Sequence, residues 1–238
     1  MIFVFITEKG NEMKRLDRIL AERTGFSRNE VSRLIRSGRV FVEGVCIKDK
    51  KKKYEEWNTK IDVDGHNVEQ VVPIWVFHKP PNMITTTEDP EGRPCVGDIL
   101  PHRYHIVGRL DQETRGLLLF SMDGQYTQRI LHPKRAVERE YWARVENEPS
   151  ETLREQLAEG IETSVGLAKG RLVDFGKDWV QVVMTEGKNR IVRRMLHNAG
   201  HSVVDLYRIR FGPFEIGDTK EGEMRPATED EMRFFDML

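Results

Sequence analysis

Two cysteines in 238 residues, Cys46 and Cys95, are too few and too far apart for a disulfide framework or a cysteine-rich metal site. Their scarcity suits a reducing compartment, and a cytoplasmic location is expected. Long apolar runs are missing too. The opening Met1-Ile2-Phe3-Val4-Phe5-Ile6 is short, lacks a basic start and leads into polar residues without a small-residue cleavage site, so it is not read as a signal peptide. No later run is long enough to span a bilayer, and no membrane partner is expected. A glycine-rich phosphate loop is also absent: Gly187-Lys188 has Val182 where such a loop needs its first glycine. No motif for a metal or organic cofactor is evident, and none is expected. A strong net charge is lacking as well, the formal balance being -1.

That near-neutral total hides an uneven distribution. Between Lys14 and Lys53 thirteen Lys/Arg face five Asp/Glu, an excess of eight positive charges, whereas Glu215 to Leu238 holds eight acids against three basic residues. A chain polarised in this way can bind a polyanion with one end. In the basic part, Leu16, Ile19 and Leu20 recur at helical spacing. Ser27-Arg28-Asn29-Glu30 is a capping-box pattern opening a second helix with Val31, Leu34 and Ile35 inward and Gly38 at its end. Arg28, Ser32 and Arg36 fall on another side of that helix, where phosphate oxygens can be met. Arg39 to Ile47 then alternates as a strand, a glycine turn and a return strand. The run Lys50 to Lys53 beside this hairpin can add salt-dependent phosphate contacts.

From Ile74 onward short apolar runs (Ile74–Phe77, Ile106–Val107, Leu117–Phe120, Tyr141–Val145, Trp179–Met184, Ser202–Leu206) alternate with helical stretches. This predicts an α+β fold in which a mixed, mainly antiparallel sheet is flanked by helices. The most informative segment is Val107-Gly108-Arg109-Leu110-Asp111-Gln112-Glu113-Thr114-Arg115-Gly116-Leu117-Leu118-Leu119-Phe120. A carboxylate leaves one apolar strand on a tight polar turn and a second apolar strand follows, a way of presenting one acid at a cleft. Farther on, Thr185 to Gly200 reads as a turn and a helix with Ile191, Val192, Met195, Leu196 and Ala199 on one side and Arg190, Arg193, Arg194 and His197 on the other.

The Gly108–Leu119 wording resembles the G-R-L-D-x-x-T-x-G-L-L-L motif of the RsuA/RluB-type pseudouridine synthases at every fixed place. The basic amino-terminal part is similar to the small αL-type RNA-binding domain named for ribosomal protein S-four, with its Ser-Arg-x-x-x-x-x-x-Ile-Arg-x-Gly-Arg-Val core. The resemblance runs from about Lys14 to about Arg225, and the first twelve residues read as an extension or a misplaced start. It divides the chain into an RNA-binding domain over 13–63, a linker over 64–72 and a catalytic domain over 73–238; a monomer is expected. The resemblance also implies that Asp111 is the one indispensable catalytic residue, that Tyr141 in Glu138-Arg139-Glu140-Tyr141 stacks on the target base, and that Leu206 is an apolar wall of the uracil pocket. Ile191 is assigned to the same pocket, and Arg109 to organising the turn. The segment G-[RK]-N-R-x-V-R-R-M, matched at 187–195, makes Arg193 the ion-pair partner of Asp111. RNA contacts are assigned to Arg15, Ser27, Arg28, Arg36, Arg39, Lys79, Arg190 and Arg194. His78-Lys79-Pro80-Pro81 is similar to the family's x-Lys-Pro-x segment, with Asn82 where glycine is usual, and Thr85 to Pro94 to a substrate-side loop.

The implied reaction isomerises a uridine within ribosomal RNA, or within a ribosome-assembly intermediate, by breaking the base-to-ribose bond at nitrogen-1 and rejoining it through carbon-5. One carboxylate and a pocket suffice. Asn189-Arg190 and Arg210–Phe214 favour the RluB branch and large-subunit RNA. A non-catalytic RNA-binding or ribosome-assembly protein explains the basic part but not Asp111, Tyr141 and Arg193. A glycosidase using Asp111 and Glu113 is poorly served by carboxylates two residues apart on one turn, which cannot flank a sugar on opposite faces.

Overall fold

The computed structural model describes residues 13–24, 26–55, 59–68, 74–100, 104–122 and 124–236. The apolar start at Met1–Ile6 lies outside them. Contacts divide the chain into two compact units, Met1–Val72 and Pro73–Leu238.

In the first unit, β1 (Met13–Arg15) leads into α1 (Leu16–Thr24) and α2 (Arg28–Arg36), followed by strands β2 (Val40–Val42), β3 (Val45–Cys46), β4 (Lys53–Glu55), β5 (Ile61–Val63) and β6 (His66–Val68). Leu16, Ile19, Leu20, Val31 and Ile35 pack with Val40, Val42, Ile47 and Ile61 into one core, which is why the two helices carry their apolar residues three and four apart. Ser27 caps α2 as expected: its hydroxyl accepts from the Glu30 N–H at 3.3 Å, while the Glu30 carboxylate accepts from the Ser27 N–H at 2.8 Å. The unit does not stop at residue 63. Asp64 and Gly65 form a turn, and β6 returns along β5 with His66 opposite Val63, so the first part of the expected linker is a hairpin strand. Residues 69–72 lie outside the described residues.

The second unit comprises β7 (Ile74–Lys79), β8 (His105–Val107), β9 (Arg115–Ser121), α3 (Gly124–Leu131), β10 (Arg139–Val145), α4 (Thr152–Glu159), β11 (Ile161–Thr163), β12 (Gly166–Ala168), β13 (Arg171–Gly176), β14 (Trp179–Met184), α5 (Ile191–Asn198), β15 (Val203–Phe211), β16 (Phe214–Glu215), β17 (Met224–Pro226) and α6 (Glu229–Asp236). Its main sheet runs β13-β14-β10-β15-β9-β7-β17, with β8 on β9 and β16 on β15. All neighbours are antiparallel except β9 and β15. This is the mixed, mainly antiparallel α+β arrangement the alternating runs predicted.

Leu117, Leu118, Leu119 and Phe120 on β9 do not alternate with polar residues because both faces of this central strand are covered. Leu118 and Phe120 enter one core with Phe77, Tyr141 and Leu206, while Leu117 and Leu119 enter another with Val107, Ile130 and Phe211. Each such side chain contributes about 1.5–3 kcal/mol through burial. The parallel register brings Gly116 against Arg208. A Cβ on Gly116, whose φ is +109°, would lie 2.3 Å from the Arg208 carbonyl oxygen, so only glycine lets the two backbones meet here.

Candidate active site

Asp111 stands between β8 and β9. Gly108, with φ +76°, turns the chain out of β8, Leu110 is buried, and the Thr114 N–H donates to the Asp111 carbonyl at 3.0 Å to close a tight turn. That turn is braced from below and from the side. Thr85 Oγ1 donates to the Leu110 carbonyl at 2.7 Å and accepts from the Leu110 N–H at 3.3 Å. Lys79, at the end of β7, donates from Nζ to the carbonyls of Pro80 at 2.9 Å, Gln112 at 3.2 Å and Thr114 at 2.8 Å. Lys79 is fully buried, and burial brings its ammonium down to a pKa of about 8. It therefore holds the Asp111 turn instead of meeting RNA as expected, because three carbonyls at the strand end draw the ammonium inward. Asn82, at the place where glycine is usual, adopts the left-handed conformation with φ +63°, which accounts for the glycine preference there.

The Asp111 carboxyl lines a cavity of about 230 Å³. Tyr141, Leu206 and Ile191 form apolar parts of its wall and are each nearly buried, and Arg109, Lys188, Asn189 and Arg190 line it with polar groups. Arg139, Arg208, Phe211 and Leu131 line it as well. Tyr141 and Arg208 are cross-strand partners on β10 and β15, and Leu206 pairs with Ala143 two residues along, so one face of this ladder supplies the wall. Burial pushes the Asp111 carboxyl above the ordinary carboxylate range, with Glu113 adding to the push, while Arg190, Arg193 and Arg109 oppose it.

Arg193 is not the ion-pair partner of Asp111. Its Nε lies 3.8 Å from Glu113 Oε1, its Nη1 donates to the Val203 carbonyl at 3.3 Å and its Nη2 to Thr114 Oγ1 at 3.4 Å. It thus braces the turn from the α5 side and acts on Asp111 through space. Arg190, in a left-handed conformation just before α5, pairs with Glu113 and exerts the largest charge effect on Asp111. The phase of α5 explains this: Ile191, Val192, Met195 and Leu196 must face the core, which fixes where Arg190 and Arg193 emerge. Arg194 is held by Ser164 and by Asn189, whose carbonyl and side-chain oxygens it meets at 3.2 Å.

Among the expected RNA contacts of the first unit, Arg28 and Arg36 are exposed on α2. Ser32, between them on the same face, is buried, and Lys50 Nζ donates to its hydroxyl at 3.2 Å, so it is not open to phosphate. Arg15 is paired with Asp17, Arg39 with Asp64, and the Ser27 hydroxyl with Glu30. These three groups are engaged locally. Sequence reading missed Arg139 and Arg208 as pocket residues, although the period of two along a strand places Arg208 on the face of Leu206. Among the described residues no cluster of three or more His, Cys, Asp or Glu is arranged to hold a metal, and no helix is long and apolar enough to cross a membrane.

A basic unit of two helices and short strands precedes a mixed-sheet unit with an acid-bearing pocket, and comparison with known proteins gives the class of each. Residues 14–56 match the S4 domain and residues 73–198 match the RNA pseudouridylate synthase family. The chain belongs to that family, in its RsuA/RluB-type branch, and is a pseudouridine synthase. It is 38% identical over 218 residues to the ribosomal large subunit pseudouridine synthase B of Yersinia pestis, a match covering 85% of this chain and 69% of that protein. The protein of the same name in Escherichia coli strain K12 is 37% identical, with 85% and 75% covered. A crystal structure of a pseudouridylate synthase superposes with a TM-score of 0.64 at 26% identity, covering 93% of this chain and 99% of that one.

Proposed function

We propose that this enzyme converts one uridine of ribosomal RNA, in the large subunit, to pseudouridine, with Asp111 as the essential carboxylate. The observation that carries the reading is the joining of a half-buried Asp111, the ring of Tyr141 and the apolar walls Leu206 and Ile191 in one cavity. A pyrimidine taken out of its helix loses its stacking neighbours, and Tyr141 replaces one of them. The carboxylate then meets the sugar-base junction, while Lys79, Thr85, Thr114 and Arg193 keep its turn still. Arg190 and Arg193 favour the ionised form that burial opposes. Arg109 flanks Asp111 at the exposed rim of the cavity. Exposed Arg28 and Arg36 on α2 supply phosphate contacts for the RNA outside the pocket.

The large-subunit assignment rests on the curated relatives named for that subunit. The substrate is the ribosomal RNA itself or an assembly intermediate carrying it, met in the cytoplasm. Site-resolved pseudouridine mapping of both ribosomal RNAs, from cells with and without the protein, tests the target. Loss of one large-subunit signal on deletion, restored by the wild-type chain, is expected. Loss confined to small-subunit RNA would overturn the subunit assignment, and unchanged maps of both would overturn ribosomal RNA as the substrate.

A further inference from the structure

Two arginines at the cavity form no ion pair with Asp111. Arg139 and Arg208 line the same cavity but are only 7% and 2% exposed. Neither is ion-paired with a carboxylate among the described residues; their bonds go to main-chain oxygens. Arg139 Nη1 donates to the carbonyls of Val137 at 3.2 Å and Thr185 at 3.1 Å, and Arg208 Nε donates to Leu117 at 2.8 Å. Arg208 Nη2 is buried without a hydrogen-bond partner. Both guanidinium carbons lie over the Phe211 ring, at 4.7 and 5.1 Å from its centroid. Like charges buried together with an unbonded N–H are costly, and such a group calls for an anion or a carbonyl brought in from outside.

Geometry selects which. Arg208 faces Tyr141 across the β10–β15 ladder and stands two residues from Leu206, so its guanidinium lies beside the surface proposed to carry the base. Arg208 forms no ion pair or hydrogen bond with Asp111; its Nε is spent on the Leu117 carbonyl. An RNA phosphate stays with the backbone outside a pocket that admits one base, and a side chain this buried is reached only by what enters. The edge of an extruded uracil offers the carbonyl oxygens O2 and O4.

We propose that Arg208, with Arg139 beside it, donates to a carbonyl oxygen of the extruded uracil and stabilises the negative charge that the base gains as its bond to ribose breaks. This rests on the uridine isomerisation at Asp111 described above. When the C1′–N1 bond breaks, its electron pair leaves with N1 and spreads onto O2 and O4, while the Asp111 carboxylate meets the deficit at C1′. In the return step ring electrons at C5 form the new bond to C1′ and release the carboxylate; C5 loses its proton and N1 gains one, so substrate and product are isomers. Fixed donors aimed at developing charge act on the transition state more than on the bound substrate.

Single-turnover rates of C1′–N1 bond cleavage by Arg208→Met and Arg208→Lys test this, on an RNA with uridine at the target and on the same RNA with 5-fluorouridine, whose C5 has no proton to release, so that bond cleavage is the step the two substrates share. Fluorine withdraws electrons and eases the departure of the base, so the variant loses less on the fluorinated RNA. The methionine variant is expected to slow about 100-fold on uridine and about tenfold or less on 5-fluorouridine, with lysine between it and wild type. The ratio of the two rates comes from one preparation, so an incompletely folded fraction cancels; if methionine at this position prevents folding, the lysine variant supplies the ratio. RNA affinity is expected to stay unchanged. Equal slowing on both RNAs, or none, would overturn the role of Arg208. Activity surviving in Asp111→Asn would instead overturn the underlying reaction, whatever Arg208 does.

Discussion

The arginines of α2 and those around the cavity do opposite things with the same side chain. Arg28 and Arg36 project into solvent, where a guanidinium keeps its hydration and its freedom until a phosphate arrives. Arg139, Arg193 and Arg208 have lost most of their water, and burial makes the charged forms of Arg139 and Arg193 harder to keep. The first set suits a long, repetitive polyanion and adapts to it. The second set is held in place by the fold and, on the roles proposed above, bears on a single carboxylate or a single base. Affinity and chemistry are thus assigned to cations in two different dielectric settings, and they separate under mutation.

The largest expected effect falls on the fixed setting. Gly116→Ala places a methyl carbon against the Arg208 backbone and strains a positive φ, and a loss of about 3–5 kcal/mol in urea unfolding is expected. A stability change within experimental error would show that β9 and β15 are not so closely joined. Next comes Lys79→Met, which leaves the carbonyls of Pro80, Gln112 and Thr114 without their shared donor. About 10–100-fold in kcat should be lost as the turn loosens, while RNA affinity holds. In the wild type, kcat should also fall as pH rises through about 8, where Lys79 loses its proton and one of its three donors.

The adaptable setting gives smaller changes of another kind. Arg28→Ala with Arg36→Ala should weaken RNA binding by roughly tenfold at moderate salt and reduce the salt slope by about 2, leaving kcat at saturating RNA unchanged. A fall in kcat would contradict the division between the two sets. The smallest change is a displacement along the pH axis. On the proposed role of Asp111 as the reacting carboxylate, the rate should fall as pH drops through its pKa, which burial already raises above the usual range. Arg190 pulls that pKa down, so Arg190→Gln should move the acid limb to higher pH. A shift to lower pH would contradict the assigned sign.

The Asp111 turn was legible in the sequence because everything that shapes it is local: an apolar strand, Gly108, the closing Thr114 and an apolar run with no alternation. The partners of that turn were not. Lys79 at a strand end looks like a surface cation until the fold brings three carbonyls around it, and which carboxylate meets Arg190 or Arg193 depends on how α5 seats against the sheet. Arg208 was hidden by the usual expectation that arginine lies outside, and Ser32 by counting a small polar residue with its exposed neighbours. Helical phase and strand alternation give the face of a residue; what waits on that face comes from distant parts of the chain.

The most direct measurement is the yield of pseudouridine from a large-subunit ribosomal RNA substrate incubated with purified wild type and Asp111→Asn at equal RNA occupancy. No detectable product from the asparagine variant, with the same melting temperature and the same RNA affinity as wild type, is the predicted result. Product at a rate near wild type would show that the carboxylate in this cavity does not carry the reaction.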